Sequence, residues 1–262
     1  MNSIKKMMLS GALGCLISGM AYADGSSPQP VKPYWQDIQV VAVNKEKPRS
    51  SFMSYADRET ALTSRFEKSP YYSLLNGTWK FFFVDSYKDL PQNITDPSVN
   101  TSSWDDITVP GNWEVQGHGV AIYTNHGYEF KPRNPQPPLL PEANPVGVYR
   151  RDIEIPANWD NRDIYLHIGG AKSGLYVYLN GKEVGYSEDS KNPAEFLINK
   201  YLQPGKNVLT LKIFRWSTGS YLECQDFWRM SGIERDVFLW SQPKASIQDF
   251  RVVSTLDDTY TN

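Results

Sequence analysis

Residues 175–186 read LYVYLNGKEVGY. A run rich in β-branched and aromatic side chains stops at Asn180-Gly181, and a second run, Glu183 to Tyr186, begins almost at once. Asn-Gly accommodates the two positive-φ positions of a type I′ turn, whose twist matches that of the strands it joins. The dipeptide therefore predicts an antiparallel hairpin. Outward from it the same texture repeats. Residues 78–84 (TWKFFFV) follow an Asn76-Gly77 turn, and residues 107–110 (ITVP), 148–155 (VYRRDIEI), 164–168 (IYLHI), 208–214 (VLTLKIF) and 237–240 (VFLW) are further short runs. No long amphipathic helical period intervenes. Many short strands separated by turn signals predict an all-β antiparallel sandwich of jelly-roll type. Residues 134–145 carry five prolines and are expected to form a long surface loop.

The remaining segments frame this sandwich. Lys5 and Lys6 precede an apolar stretch over residues 7–20, and Ala21-Tyr22-Ala23 offers a small-x-small cleavage site. Residues 1–23 thus read as a signal peptide, too short to span a bilayer. Export, with the periplasm as destination, is expected. Leu13-Gly14-Cys15 leaves open a lipid anchor through Cys15. Residues 24–57 read as a Ser/Pro-rich linker and an extended arm laid over another surface, and residues 58–242 as the sandwich. Residues 243–262 are expected to begin with a linker, after which the alternating residues 247–254 are expected to form the first strand of a second, truncated immunoglobulin-like domain.

The chain has 262 residues, a formal net charge of −2 and 40% hydrophobic residues. That is enough to bury a sizeable core, and the near-neutral balance argues against nucleic acid or an anionic membrane as the main partner. Of the two Cys, only Cys224 would remain after cleavage, so no internal disulfide is expected. His118, His126 and His167 are scattered and make no metal-ligand spacing. His167 falls in an alternating strand and reads as structural. The eight Trp and sixteen Tyr suit a sandwich core, and equally sugar binding, since an apolar ring stacks on the C–H face of a pyranose.

Seven blocks of sequence, in order, carry a resemblance. They are Trp35, Asn44, Pro48-Arg49, Phe52 and Tyr55; Leu75-Asn76-Gly77-Thr78-Trp79; Val109-Pro110-Gly111-Asn112-Trp113-Glu114 with Gly117; and Ile122-Tyr123-Thr124-Asn125. Asn144-Pro145 with Tyr149-Arg150 follows, then Asp189-Ser190 with Pro193-Ala194-Glu195-Phe196. The last block runs from Arg215-Trp216-Ser217 through Tyr221-Leu222-Glu223, Gln225-Asp226 and Trp228-Arg229-Met230-Ser231-Gly232-Ile233 to Arg235-Asp236-Val237. With these blocks, residues 34–262 resemble the N-terminal part of the large bacterial β-galactosidases of glycoside hydrolase family 2. Thr218 and Cys224 depart from the family's usual Asp, Phe227 from a common Met, and Glu234 from an apolar or aromatic residue.

The resemblance implies a galactose-binding-like jelly roll, then an immunoglobulin-like domain, then a catalytic (β/α)₈ barrel, with only the first complete here. The family hydrolyses terminal β-D-galactosides with retention through two glutamates, both in the barrel. The acid/base follows an Asn, and no Asn-Glu dipeptide occurs in this chain. No catalytic residue is therefore assigned, and the chain alone is expected to be inactive. Asn125 is similar to a residue that hydrogen-bonds near the sugar. Asp226 is similar to one that binds a site sodium and lies near the galactose hydroxyls. An amide both donates and accepts, and a carboxylate suits a hard cation and sugar hydroxyls. Magnesium is implied for the full-length protein, with its main ligands outside this chain. The implied partners are a β-galactoside, the rest of the same polypeptide, and further copies in a homo-oligomer that the arm helps to hold.

Read without the resemblance, Asn125 could serve only its turn, and Asp226 could belong to a salt-bridge network with Arg215, Arg229 and Arg235. A stand-alone carbohydrate-binding module and an assembly fragment are the competing functions. Trp113 and Trp228 are expected to be packing residues, and Glu114 and Glu223 to hydrogen-bond the loops at the site rim.

Overall fold

The computed structural model describes residues 32–130, 134–223 and 225–260. The signal peptide, Cys15, most of the linker and Cys224 lie outside the described residues. The described chain forms one compact unit in which every strand pairing is antiparallel.

The hairpin of residues 175–186 forms as its turn residues dictate. Asn180 and Gly181 adopt φ of 53° and 77°, and strands Gly174–Leu179 and Lys182–Ser187 pair across them. This hairpin sits in a seven-stranded sheet. Its order is Ala42–Val43, Lys182–Ser187, Gly174–Leu179, Lys206–Phe214, Val146–Glu154, Gly77–Val84 and Asp105–Val109. A four-stranded sheet, Ala194–Leu197, Arg162–Ile168, Val237–Pro243 and Tyr72–Leu74, packs against one face of it. The interface is filled by alternate side chains: Trp79, Phe81, Tyr149, Val177, Leu209 and Leu211 from one sheet, Leu166, Ile168, Phe196, Val237 and Leu239 from the other. Period two thus turns sequence alternation into a single core.

The seven-stranded sheet is also covered on its other face. Trp35, Ile94 and Trp104 pack there against Val146, Val148, Tyr176 and Phe214. This second cover explains why residues 146–150 are buried without alternation; a strand apolar on both faces belongs between two layers.

The arm is laid over this same sandwich, and on both of its outer faces. Trp35 stacks on Phe214 at 5.0 Å, and Ala42–Val43 adds an edge strand beside Lys182–Ser187. The Glu46 N–H then donates to the Glu195 carbonyl at 2.8 Å, which carries the chain across to the edge of the four-stranded sheet. There Met53 packs with Tyr165 and Trp240. Arg49 anchors the crossing, with Nε and Nη2 each 3.0 Å from the Glu195 carboxylate. His167, as expected of a structural residue, completes the anchor: its Nδ1 lies 2.8 Å from Glu195 Oε1, and its ring stacks on Phe238.

The strand expected over residues 247–254 pairs with no other strand among the described residues. A strand needs a neighbour to satisfy its backbone, and this segment meets the arm through only a few contacts. The Ser50 N–H donates to Asp249 Oδ1 at 2.8 Å, the Ser50 hydroxyl donates to the Phe250 carbonyl at 2.7 Å, and Phe52 packs edge-on against Phe250.

Candidate functional site: a two-stranded ribbon with one exposed face

Asn125 and Asp226, distant in sequence, are brought together by a small ribbon. Strands Ile122–Thr124 and Phe227–Arg229 pair in the register Thr124 with Phe227, Tyr123 with Trp228, and Ile122 with Arg229. One further step of that register sets Asn125 opposite Asp226, just past the ladder's end. Successive side chains of a strand point to opposite faces. Tyr123, Asn125, Asp226 and Trp228 therefore share one face, and Ile122, Thr124, Phe227 and Arg229 share the other. Burial follows the same split: the first four are exposed, while Thr124 and Arg229 are buried.

The exposed face has two halves. Its apolar half is Tyr123, 54% exposed, and Trp228, 55% exposed, with ring centroids 5.7 Å apart, edge to face. Its polar half is Asn125 and Asp226. The Tyr123 hydroxyl joins the halves, donating to Asp226 Oδ1 at 2.6 Å. That bond, and the nearby negative charge, raise the Tyr123 pKa above the ordinary phenol value. Asn125 Oδ1 lies 2.7 Å from His126 Nδ1, which orients the amide.

The structure corrects one expectation here, the packing role of Trp228, and bears on one alternative, the salt-bridge network around Asp226. Trp113 is a packing residue, fully buried, but Trp228 is not. Nor do the arginines ion-pair with Asp226 among the described residues. Arg229 donates instead from Nη1 to the Glu223 carbonyl and from Nη2 to the Gln225 carbonyl, with its guanidinium 4.4 Å from the Phe227 ring. It grips the backbone of the turn that leads into Asp226. Arg215 donates to the carbonyls of Val120 and Arg229 at 2.9 and 3.2 Å, tying the two ribbon strands to the sandwich. Arg235 donates to the Lys191 carbonyl at 2.6 Å.

The two rim glutamates do hold loops. Glu223 accepts from the Ser190 N–H at 3.1 Å and from its hydroxyl at 2.7 Å. Glu114 accepts from the Ser231 N–H at 2.8 Å, with Arg215 Nη1 3.6 Å away. Burial pushes the Glu114 carboxyl up, against the opposing pull of the Ser231 N–H and Arg215. Glu114 is placed by Trp113, which seats on the sheet only because Gly147 has no side chain. A Cβ there would lie 2.6 Å from the Trp113 ring and 2.7 Å from Phe81.

The departures from the family pattern acquire partners. Thr218 donates to the buried Glu188 carboxyl at 2.6 Å, where an Asp would set two carboxylates against each other. Glu234 pairs with Lys191 at 2.5 Å, and Lys191 Nζ lies 5.4 Å from the centre of the Phe227 ring. Two of the departures thus share one lysine.

The ribbon face offers hard oxygen donors, a carboxylate and an amide carbonyl, of the kind an alkali cation takes. Two groups fill only part of a coordination shell, and no cluster of three His, Cys, Asp or Glu converges among the described residues. A cavity of about 320 Å³, lined by Arg49, Phe52, His167, Glu195 and Phe238 among others, lies under the arm and shares no residue with the ribbon.

Alternation at two short sites, Tyr123-x-Asn125 and Asp226-x-Trp228, is the signal that would have exposed the aromatic half. It was hidden because three-residue strands in turn-rich sequence resemble loops, and their pairing spans about 100 residues, |i−j| being 103 for Tyr123 and Asp226.

Comparison with known proteins places this architecture. Residues 72–243 match the family described as "Glycosyl hydrolases family 2, sugar binding domain". A β-galactosidase of Priestia megaterium is 41% identical over 231 residues, 87% of this chain and 22% of the relative. One from Psychromonas ingrahamii is 39% identical over 223 residues, 85% of this chain and 21% of the relative. The chain thus spans about a fifth of these curated relatives. Among solved structures, a β-glucuronidase from an uncultured Clostridium species superposes with TM-score 0.52 at 24% identity, over 71% of this chain and 31% of the other. A Bacteroides uniformis β-glucuronidase gives 0.50 at 24% identity, over 66% and 18%. These two share the fold.

Proposed function

Because the chain belongs to family 2 of the glycosyl hydrolases, through its sugar-binding domain, we propose that it is the sugar-recognising part of a β-galactosidase. The observation that carries the proposal is the meeting of Asn125 and Asp226 at the open end of one ribbon. The amide offers a donor and an acceptor to a sugar hydroxyl, and the carboxylate a charged acceptor. Retaining hydrolysis itself needs two carboxyl groups flanking the scissile bond, about 5–5.5 Å apart. We assign neither to this chain, whose residues bind and orient.

Asp226, with Asn125 beside it, would hold a sodium ion, which supplies local positive charge near the sugar hydroxyls. Magnesium would be held by residues outside this chain. The immunoglobulin-like and barrel portions of the same polypeptide, and further copies of it, are the proposed partners. Export through residues 1–23, or a lipid anchor at Cys15, is the proposed destination.

The test is immunoprecipitation from the source cells with an antibody against this domain, followed by assay with a chromogenic β-galactoside. Sodium-dependent activity is expected in the precipitate, and an Asp226→Ala allele should abolish the sodium response. A precipitate without galactosidase activity overturns the proposal.

A further inference from the structure

Behind the ribbon lies an ion pair that has no part in the reading above. Lys172 places Nζ 3.4 Å from Glu129 Oε1, with the two side chains 3% and 6% exposed. We infer that Lys172 is a positioning residue: it sets Asn125 against Asp226 by holding the loop that follows the first and the strand that follows the second. The inference rests on the proposed role of Asn125 and Asp226 and assigns what keeps them in place.

The loop side is short, since Glu129 lies four residues after Asn125. The turn between them is fixed at its start, where the Thr124 hydroxyl donates to the His126 carbonyl at 2.7 Å and Gly127 takes φ of 75°. At its end Tyr128 and Phe130, on either side of Glu129, stack on each other and both pack edge-on against Tyr221. With those rings seated, the Glu129 carboxylate is held inward. Its Oε2 finds no donor among the described residues, so Lys172 carries the compensation of this buried charge.

The strand side is reached by the same ammonium. It lies 5.9 Å from the centre of the Phe227 ring, within range of a cation–π contact. Phe227 follows Asp226 and pairs with Thr124, so its back is the back of the ribbon. Lys172 is itself fixed from behind: Ala171–Lys172 pairs with Gly232–Ile233, which pairs with Gly111–Asn112. Groups carried on a loop and at a ribbon's end need such support to keep their placement.

The chain itself, labelled with ¹⁵N, is compared with Lys172→Met, Glu129→Gln and the two combined. Lys172→Met should shift both the Asn125 side-chain amide and the Asp226 backbone N–H. Glu129→Gln, which keeps the shape and loses the charge, should shift Asn125 and leave Asp226 in place. Added to Glu129→Gln, Lys172→Met should move Asp226 but move Asn125 no further. A Lys172→Met spectrum with either signal unmoved overturns the inference, even if the urea midpoint falls; so does an Asn125 shift that simply adds in the double variant. If Lys172→Met does not fold, Glu129→Gln decides, and an unmoved Asn125 overturns it.

In the immunoprecipitate, a Lys172→Met allele should raise the sodium concentration for half-maximal activity at least about fivefold. An unchanged sodium dependence overturns the positioning role. A wild-type precipitate without galactosidase activity overturns the broader reading alone, and the two signals of the isolated chain then decide the positioning by themselves.

Discussion

The Tyr123 hydroxyl donates to Asp226 Oδ1 at 2.6 Å, joining residues that the sequence holds far apart. The bond makes the phenol part of the site, because it fixes which oxygen of Asp226 is already occupied. It also disfavours loss of the phenol proton, since a phenolate would face a carboxylate. Tyr123 should therefore ionise above the ordinary tyrosine range, and Asp226→Asn should bring it back down. Titration of the Tyr123 ring followed by ¹³C NMR checks this. An unchanged Tyr123 in the Asn variant would show that the hydrogen bond does not hold in solution.

Arg229→Lys removes a two-carbonyl grip that a single ammonium cannot reproduce. Hydrogen bonds from a charged donor are worth about 1.5–3 kcal/mol each. The loss should fall mainly on residues 223–228. Amide hydrogen exchange there should quicken by at least about tenfold, with little change in the strands of the two main sheets. Uniform acceleration across the sandwich would contradict a local clamp.

Arg49 and Glu195 tie the arm to the four-stranded sheet, with side chains 12% and 10% exposed. Removing one partner of such a pair leaves the other poorly compensated. Arg49→Ala should cost roughly 3 kcal/mol in urea unfolding, softened by the bonds Glu195 retains to His167 and Trp240. The pH dependence has a definite sign. Burial alone would raise the Glu195 pKa, but His167 and Arg49 outweigh it and hold the value below the ordinary 4.5. Its contribution is therefore present above the unfolded pKa and is lost as pH falls through the lower folded value. Glu195→Gln should flatten the acid limb of stability, read from urea midpoints between neutrality and about pH 3.

Gly147→Ala should test how the site is seated. The added methyl would meet Trp113 and Phe81 at under 3 Å, and overpacking of this kind costs about 1–3 kcal/mol. Because Trp113 precedes Glu114, which holds Ser231, the strain should reach the ribbon. Urea denaturation should show the loss, and the Trp228 indole signal should shift without any ligand. Wild-type stability would mean that Trp113 can move at no cost.

The sequence alone determined the fold class and most of the long strands. Asn180-Gly181 admits one tight hairpin, and runs such as 164–168 and 208–214 alternate strongly enough to be read locally. Asn125 and Asp226 were singled out only through the blocks they belong to, and the fold sets them opposite each other at the end of one ribbon. Partnerships were not legible, because they depend on register between segments about 100 residues apart. Trp228 reads as core in a core-rich sequence; only its pairing with Tyr123 turns it outward. The sequence leaves an ion pair between Arg229 and Asp226 open as an alternative; only the fold shows Arg229 spending its donors on carbonyls. The arm reads as extended, and only the tertiary structure shows it crossing both outer faces of the sandwich. Local patterns fix backbone conformation because they act through neighbouring residues. Which face of a three-residue strand meets solvent is decided by what packs behind it, and that information is nowhere local.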